Sequence, residues 1–476
     1  MKKSASVWSA AFLLALCASG CGPDRQWTTD SDEAVRWVDT GVQQWQRFYY
    51  TEALNSLENA VAADSQFAIA WGRMALVHLW ASNIPEARAQ IGKAARLSAS
   101  ATPREQQLIR LWSYRINDEH EKESALADSL IRLYPQNSEL YLFRGQCYEF
   151  ERNFEAAVGM YEEGLKYDTA FALGMMSLGY AHSILGDQNK AVEYMQRYIR
   201  MAPQEADPLA SYADILVRAG RYDEALEQYR KALTVKPDYW YAVREIGSVY
   251  LIKGKLRDAE RQFEMATKLL PVNTQSEANL LRLRATVDLQ RGSYEDAVAL
   301  YRAARAIDSS YVWGSSGLVT ALTKLKRFAE GWDVVDSVRA EVERRGMAES
   351  QLMQAYHIMR ARLLTEEGKL DEAEEECREA VEFSSPFTRG MIYVQGARIA
   401  RVLKEWEPAL DAIENALRVN PDSPEALHTL ALIYHDKGDD QMAREIGRRL
   451  LKLWNEADAD FRPLAELREA LGKNLR

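Results

Sequence analysis

Along most of this chain, small, aromatic and charged positions recur in a fixed order. Gly220-Arg221-Tyr222-Asp223-Glu224-Ala225 is followed by Tyr229, Ala232 and Pro237; 34 residues later stand Gly254, Leu256, Ala259, Phe263, Ala266 and Pro271. The frame extends upstream through Phe154, Ala157 and Tyr161, then Gly186, Ala191, Met195 and Pro203. Downstream it gives Gly292, Tyr294, Ala297, Tyr301 and Ala304, and later Trp406, Ala409, Ile413, Ala416 and Pro421. The position held by Tyr222 recurs at Tyr50, Ile84, His120, Phe154, Gln188, Leu256, Tyr294, Phe328, Leu370, Trp406 and Asp440. Seven of the eleven steps equal 34 residues, which chance does not supply, so the chain is a tandem array.

Each unit predicts two helices. In the first, a small residue lets its neighbour approach, as at Gly145, Gly179, Ala213 and Gly247. A bulky side chain three positions on (Tyr148, His182, Leu216, Tyr250) fills the groove beside it. In the second, the alanine at the Ala225 position and the large residue four later form the stripe of a helix buried on one side. Pro203, Pro237, Pro271 and Pro421 end helices, because proline cannot continue the hydrogen-bond ladder. The third unit departs with Glu123 and the ninth with Gly331 where alanine is expected, and residues are inserted near 272–277 and 343–351.

Over residues 34–455 these units resemble the tetratricopeptide-repeat family. The resemblance implies an all-α fold, a tetratricopeptide-repeat solenoid built as a right-handed superhelix of about twelve helical hairpins. It also implies a concave wall lined by the first helix of each repeat, with Tyr180, Asp214, Tyr241, Arg244, Arg282, Trp313, Arg362, Arg398 and Arg401 facing the groove. The lysine–asparagine set by which chaperone-binding members clamp a terminal carboxylate is missing, since Ala210 and Asp214 stand in its place. What remains is a run of arginines interleaved with aromatics. Arginine grips carboxylates through two donors, and both residue types are frequent at interfaces, so such a groove attracts acidic or extended peptide segments. The alternative is that these arginines pair with acidic neighbours in adjacent repeats.

The first residues read differently. Lys2 and Lys3 precede a short apolar run from Val7 to Leu16, too short for a good membrane span. Ala18-Ser19-Gly20-Cys21 follows and resembles the lipobox of bacterial lipoproteins, although that family more often has leucine where Ala18 stands. The resemblance implies cleavage after residue 20 and lipidation of Cys21; the alternative is an ordinary secretory leader with a chance cysteine. Gly22 after the anchor is similar to lipoproteins sorted to the outer membrane. The organisation expected is therefore a leader (1–20), a lipidated polar tether (21–33), the array (34–455) and a C-terminal capping helix within 456–476.

Composition narrows the function. With 47% hydrophobic and 27% charged residues and only 13 prolines, the chain is folded, soluble and helix-rich. The net charge of −10, without a basic block, disfavours nucleic acid as a partner. Cys147 and Cys377 are 230 positions apart, too far along a solenoid to pair. No phosphate-binding loop, nucleophile elbow or zinc-protease motif occurs. His428 and His435, seven apart, read as an ordinary surface pair, and Cys377 reads as core. The expectation is a non-enzymatic scaffold, without cofactor or metal, anchored in the bacterial envelope on the periplasmic face of the outer membrane. Its partners would be other envelope proteins or extended peptide segments; the alternative is a binder of polysaccharide or peptidoglycan.

Overall fold

The computed structural model describes residues 27–472 apart from 82, 170, 271–273, 308–311, 346–350 and 385. The expected leader, Cys21 and the start of the tether lie outside the described residues, as does part of each insertion. The described chain forms 25 α-helices, arranged as twelve hairpins and one final helix. The second helices begin at Tyr50, Ile84, His120, Phe154, Gln188, Tyr222, Leu256, Tyr294, Phe328, Leu370, Trp406 and Asp440, the twelve positions that the repeat frame marks.

What joins the two helices of a hairpin is a single left-handed residue two places before each of these starts. It has positive φ at every such position described. Six are glycine, including Gly186 at 84°; Phe48, Asp118, Arg152, Lys326 and Lys404 adopt φ between 59° and 65° without that freedom. For a residue with a Cβ this conformation costs about 1 kcal/mol.

Packing inside a hairpin is set by complementary sizes. Ala53, Ala87, Ala157, Ala191, Ala225, Ala259, Ala297, Ala373, Ala409 and Ala443 are all wholly buried where the helices cross. A Cβ on Gly145 would stand 2.2 Å from the Tyr161 ring, and one on Gly247 would stand 2.6 Å from the Phe263 ring. Where the pattern departs, other chemistry fills the place. Glu123 is 1% exposed and accepts a 2.7 Å bond from Arg115 Nε. Arg115 also reaches Gln146 at 2.6 Å and the Phe143 carbonyl at 3.2 Å, so the buried charges are paired and bonded.

Both ends are tied down. The tether expected through residue 33 already belongs to the array from Trp27 onward. Trp27 packs on Phe67 with ring centroids 6.4 Å apart, and the Thr28 amide donates to Glu105 at 3.0 Å. Glu105 is the buried carboxylate of the Thr102–Glu105 capping box that opens the third hairpin. Ser31 caps the first helix (Asp32–Gln46) by accepting from the Ala34 amide at 3.1 Å. At the other end, the helix Arg462–Leu471 buries Leu464 and Leu467.

Hairpins five or six apart in sequence also touch. Arg47 meets Glu205 at 3.3 Å, and Lys236 meets Glu52 at 2.7 Å while lying over the Tyr49 ring, which joins hairpin 1 to hairpin 6. Arg152 donates to the Phe383 carbonyl, joining hairpins 4 and 10. The C-terminal segment closes onto hairpins 7 and 8. The Trp454 indole donates to the Ile252 carbonyl at 3.1 Å, and the Asp458 amide donates to the Gly254 carbonyl at 2.9 Å. The Asp458 carboxylate accepts from the Arg257 amide at 2.9 Å, supplying in trans the cap that Lys255 does not give the helix Leu256–Leu269. Clefts of about 400 and 350 Å³ remain at two of these joins, the first beside Arg47 and Glu205, the second between Gly220 and Asp422.

The hairpin turn can be tested directly. A Cβ on Gly186 meets nothing within 4 Å, so Gly186→Ala carries only the backbone penalty and should cost about 1 kcal/mol. Lys326→Gly should instead be neutral or stabilising by some tenths of a kcal/mol. Urea unfolding followed by circular dichroism checks both; equal losses at the two sites would contradict the assignment of strain to Lys326.

Candidate protein-binding surface

Every residue assigned from sequence to the concave wall lies on a first helix. Tyr180 is on Ala172–Ile184, Asp214 on Ala206–Arg218, Tyr241 and Arg244 on Trp240–Ile252, and Arg282 on Thr274–Arg291. Arg362 is on Gln351–Glu366, and Arg398 and Arg401 are on Pro386–Leu403. Trp313 begins the helix Val312–Lys324, but its side chain lies outside the described residues.

In hairpins 5–7 the structure joins three of these residues through one carboxylate. Asp214 accepts from the Tyr180 hydroxyl at 2.6 Å and from Tyr241 at 2.7 Å, and it also accepts from Tyr229. Two helical turns earlier on the same helix, Asp207 accepts from Tyr198 and Tyr239, each at 2.9 Å, and from Ser211 at 3.4 Å. Burial pushes the Asp207 carboxyl up to about 7, against the pull of these hydroxyls, and it raises Asp214 too, with Glu245 adding to the effect. Sequence reasoning missed Asp207, Tyr198 and Tyr239. The available signal was the spacing of two aspartates seven apart, hence on one helical face. Arg244 is held by its own neighbour Glu245 at 2.6 Å and lies over the Tyr241 ring, 4.6 Å from its centre.

In hairpins 8–11 the described wall residues assigned from sequence are arginines, Arg282, Arg362, Arg398 and Arg401. Arg398 pairs with Glu425 at 3.0 Å and Arg401 with Asp436 at 2.6 Å, both on the first helix of hairpin 12. For those two arginines, pairing with the adjacent repeat is what the structure shows. Arg282 donates to Asn279 at 2.9 and 3.1 Å. Arg362 differs: its Nη1 donates to Thr320 Oγ1 and, at 3.4 Å, to the Ser316 carbonyl. Both are neutral oxygens. Among the described residues no carboxylate lies within 4 Å of Arg362.

Other candidate groups are occupied by packing. Burial pushes the Cys147 and Cys377 thiols up to about 11 and about 12, so neither is a ready nucleophile. His428 is not at the surface as its spacing with His435 suggested. It is 9% exposed and packs near Trp454, because the C-terminal segment folds over it. Burial, with Arg398 beside it, lowers it to about 4.

Comparison with known proteins agrees with this architecture. Family models described as tetratricopeptide repeat match residues 174–237, 253–312 and 395–458, and one described as TPR repeat matches 213–269. These matches support the tetratricopeptide-repeat family, and with the twelve hairpins they make the fold a tetratricopeptide-repeat solenoid. "Cellulose synthase operon protein C" of Xanthomonas axonopodis is 24% identical over 56% of this chain and 18% of its own length. "TPR repeat-containing protein MJ1428" of Methanocaldococcus jannaschii is 22% identical over 65% of this chain and 49% of its own. This chain thus spans less than half the length of either relative. The crystal structure of yeast Tom70 aligns with a TM-score of 0.39 at 13% identity, over 92% of this chain and 95% of that one.

The two halves of the wall should respond oppositely to acid. Asp207 titrates near 7 when folded and near 3.8 when not, so its stabilising contribution is full below 3.8 and lost as pH rises through 7. His428 titrates near 4 folded and 6.5 unfolded, so its contribution is present above 6.5 and lost as pH falls through 4. Amide exchange corrected for its intrinsic pH dependence should slow in residues 206–252 and quicken in 424–471 between pH 8 and pH 5. A uniform change along the array would refute this division.

Proposed function

We propose that this chain is a lipid-anchored scaffold of the bacterial envelope that binds other proteins along the wall formed by its first helices. The observation that carries the reading is the continuity of that wall. Twelve successive hairpins turn their first helices to one side, and the polar groups gathered there are charge and hydroxyl pairs suited to recognition rather than an acid–base or metal set. The tetratricopeptide-repeat matches favour the same class of activity, protein–protein interaction.

The anchor belongs to the proposal through Cys21. Five residues separate it from Trp27, where the array begins to hold the chain, so even a fully extended tether spans only about 20 Å. A scaffold so tethered works close to the bilayer, on partners that are themselves at the membrane. The reading as a polysaccharide or peptidoglycan binder draws on similarity to a protein whose name refers to cellulose synthesis. Against it, the hydroxyls of Tyr180 and Tyr241 are both taken by Asp214, which removes them as free sugar-binding groups.

Two linked measurements test the proposal. Cys21→Ala should move the protein from the membrane to the soluble fraction; retention in the membrane would remove the anchor. Crosslinking in native membranes, followed by affinity purification and mass spectrometry, should recover a defined set of envelope proteins. Recovery of glycan alone would replace the scaffold with the polymer-binding reading.

A further inference from the structure

Arg362 stands apart from the other wall arginines in what surrounds it. It projects from the first helix of hairpin 10 into the interior of the superhelix, enclosed by protein yet not sealed from solvent. One corner of the guanidinium is used: Nη1 bonds to Thr320 and to the Ser316 carbonyl. Nε and Nη2 have no hydrogen-bond partner among the described residues. That free edge is the one that receives a carboxylate through two parallel bonds.

The surroundings deepen the charge imbalance. Arg398 approaches from hairpin 11 and repels Arg362, and its own carboxylate partner, Glu425, lies at 3.0 Å from Arg398. From the other side Arg282 and Arg362 both act on Tyr301, whose hydroxyl is bonded to Thr286 at 3.0 Å. Two cations from adjacent hairpins therefore share one acidic group, while Thr286, Thr320 and Tyr301 add hydroxyls to the same stretch of wall. Desolvation works against the charge of Arg362 as it does at Arg244 and Arg360, but there Glu245 and Glu376 outweigh it and here no carboxylate does. An enclosed cation without a counter-ion is costly to the free protein, and an arriving anion relieves that cost.

We infer that Arg362 is the seat for a carboxylate side chain of a bound partner, received within an extended acidic segment running along the first helices of hairpins 8–11. The inference rests on reading the first-helix wall as the binding surface, and it names the chemistry that the wall selects. The hydroxyl partners of Arg362 do not depend on it. Thr320 also donates to the Ser316 carbonyl at 2.9 Å, so removal of the guanidinium leaves neither oxygen stranded. A structural arginine would behave otherwise.

The test uses the full chain purified in detergent, with fluorescein-labelled decaglutamate, decaglutamine and decalysine as probes and inorganic phosphate as a free-ion control. Decaglutamate should bind in preference to the other two, and Arg362→Gln should weaken it about tenfold or more, with Arg362→Lys intermediate. Arg449→Gln, at the exposed pair with Asp422, should leave binding unchanged. The thermal midpoint of the ligand-free Arg362→Gln protein should match or exceed that of the parent. The inference is overturned if decaglutamine binds equally, if no acidic peptide binds, or if Arg362→Gln keeps full affinity. It is also overturned if that variant is destabilised and Arg362→Lys restores the midpoint, which marks a structural role. Protection by phosphate with no binding of decaglutamate would show a free-ion site instead. Crosslinked partners retained by Arg362→Gln would sink this seat alone, whereas the absence of protein partners from the parent would sink the scaffold reading.

Discussion

The spacing of several hairpins depends on one fit, a large side chain of the second helix seated where the first helix has no side chain. Tyr161 lies against Gly145, Met195 against Gly179 and Phe263 against Gly247, while Tyr301 makes the same fit to Gly317 of the next hairpin. At these separations even a methyl group would collide, so helix approach is limited by backbone and ring alone. The alanine four residues before the ring has the same role a helical turn earlier, and ten of those alanines have no exposed surface. Because each hairpin is set to the same approach distance, successive hairpins stack in register, and their first helices form one wall. Glu123 shows how strict the geometry is: a carboxylate takes the alanine position only with Arg115 held against it by two further acceptors.

A solenoid held only by such neighbour contacts would be quasi-one-dimensional, with ends free to fray independently. This one is not. Hairpin 1 is bound to hairpin 6 through Arg47, Glu52, Glu205 and Lys236, and the C-terminal segment is bound to hairpin 7 through Trp454 and Asp458 and to hairpin 8 through Asp460 with Arg291. The join to hairpin 6 is polar, whereas the C-terminal join adds an apolar contact of Trp454, Phe461 and Leu464 with the core of hairpins 7 and 8. They couple the terminal hairpins to the middle of the array, and they restrict entry to its interior from the side. An extended segment, which needs little width, suits such a passage better than a folded domain does.

The elements of the fold were legible because a repeat displays its own frame. The twelve second-helix starts follow from a recurring frame whose commonest step is 34 residues, but the left-handed residue before them was not read from sequence, since five of the eleven described are not glycine. The wall was legible to the level of which helix carries each residue. The partners of those residues were not. Asp214 takes three tyrosine hydroxyls from hairpins 5, 6 and 7, and nothing periodic relates Tyr229 to Tyr180 and Tyr241. Contacts between turns, such as Lys236 with Glu52, join positions 184 residues apart with no shared motif. His428 was misplaced for the same reason. Its spacing fixes a helical face, but the segment that covers that face comes from beyond the last repeat.

These partnerships divide the interior into two halves that are not equivalent. Asp207 and Arg362 are both enclosed charges short of a counter-ion, and replacing either by an apolar residue of similar size would simplify the electrostatics of the free protein. Asp207, however, is closed: three hydroxyls occupy its acceptor sites, and it is 5% exposed. Its elevated proton affinity answers the burial from within, since a protonated carboxyl stays bonded to the same tyrosines. An arginine has no such escape, because its guanidinium stays charged at any pH the protein meets. Arg362 can reduce its cost only by gaining an anion, and the edge that would take one is unoccupied. The acidic half is therefore a structural joint between hairpins 5, 6 and 7, and it is on the arginine-bearing half that the proposal places the partner.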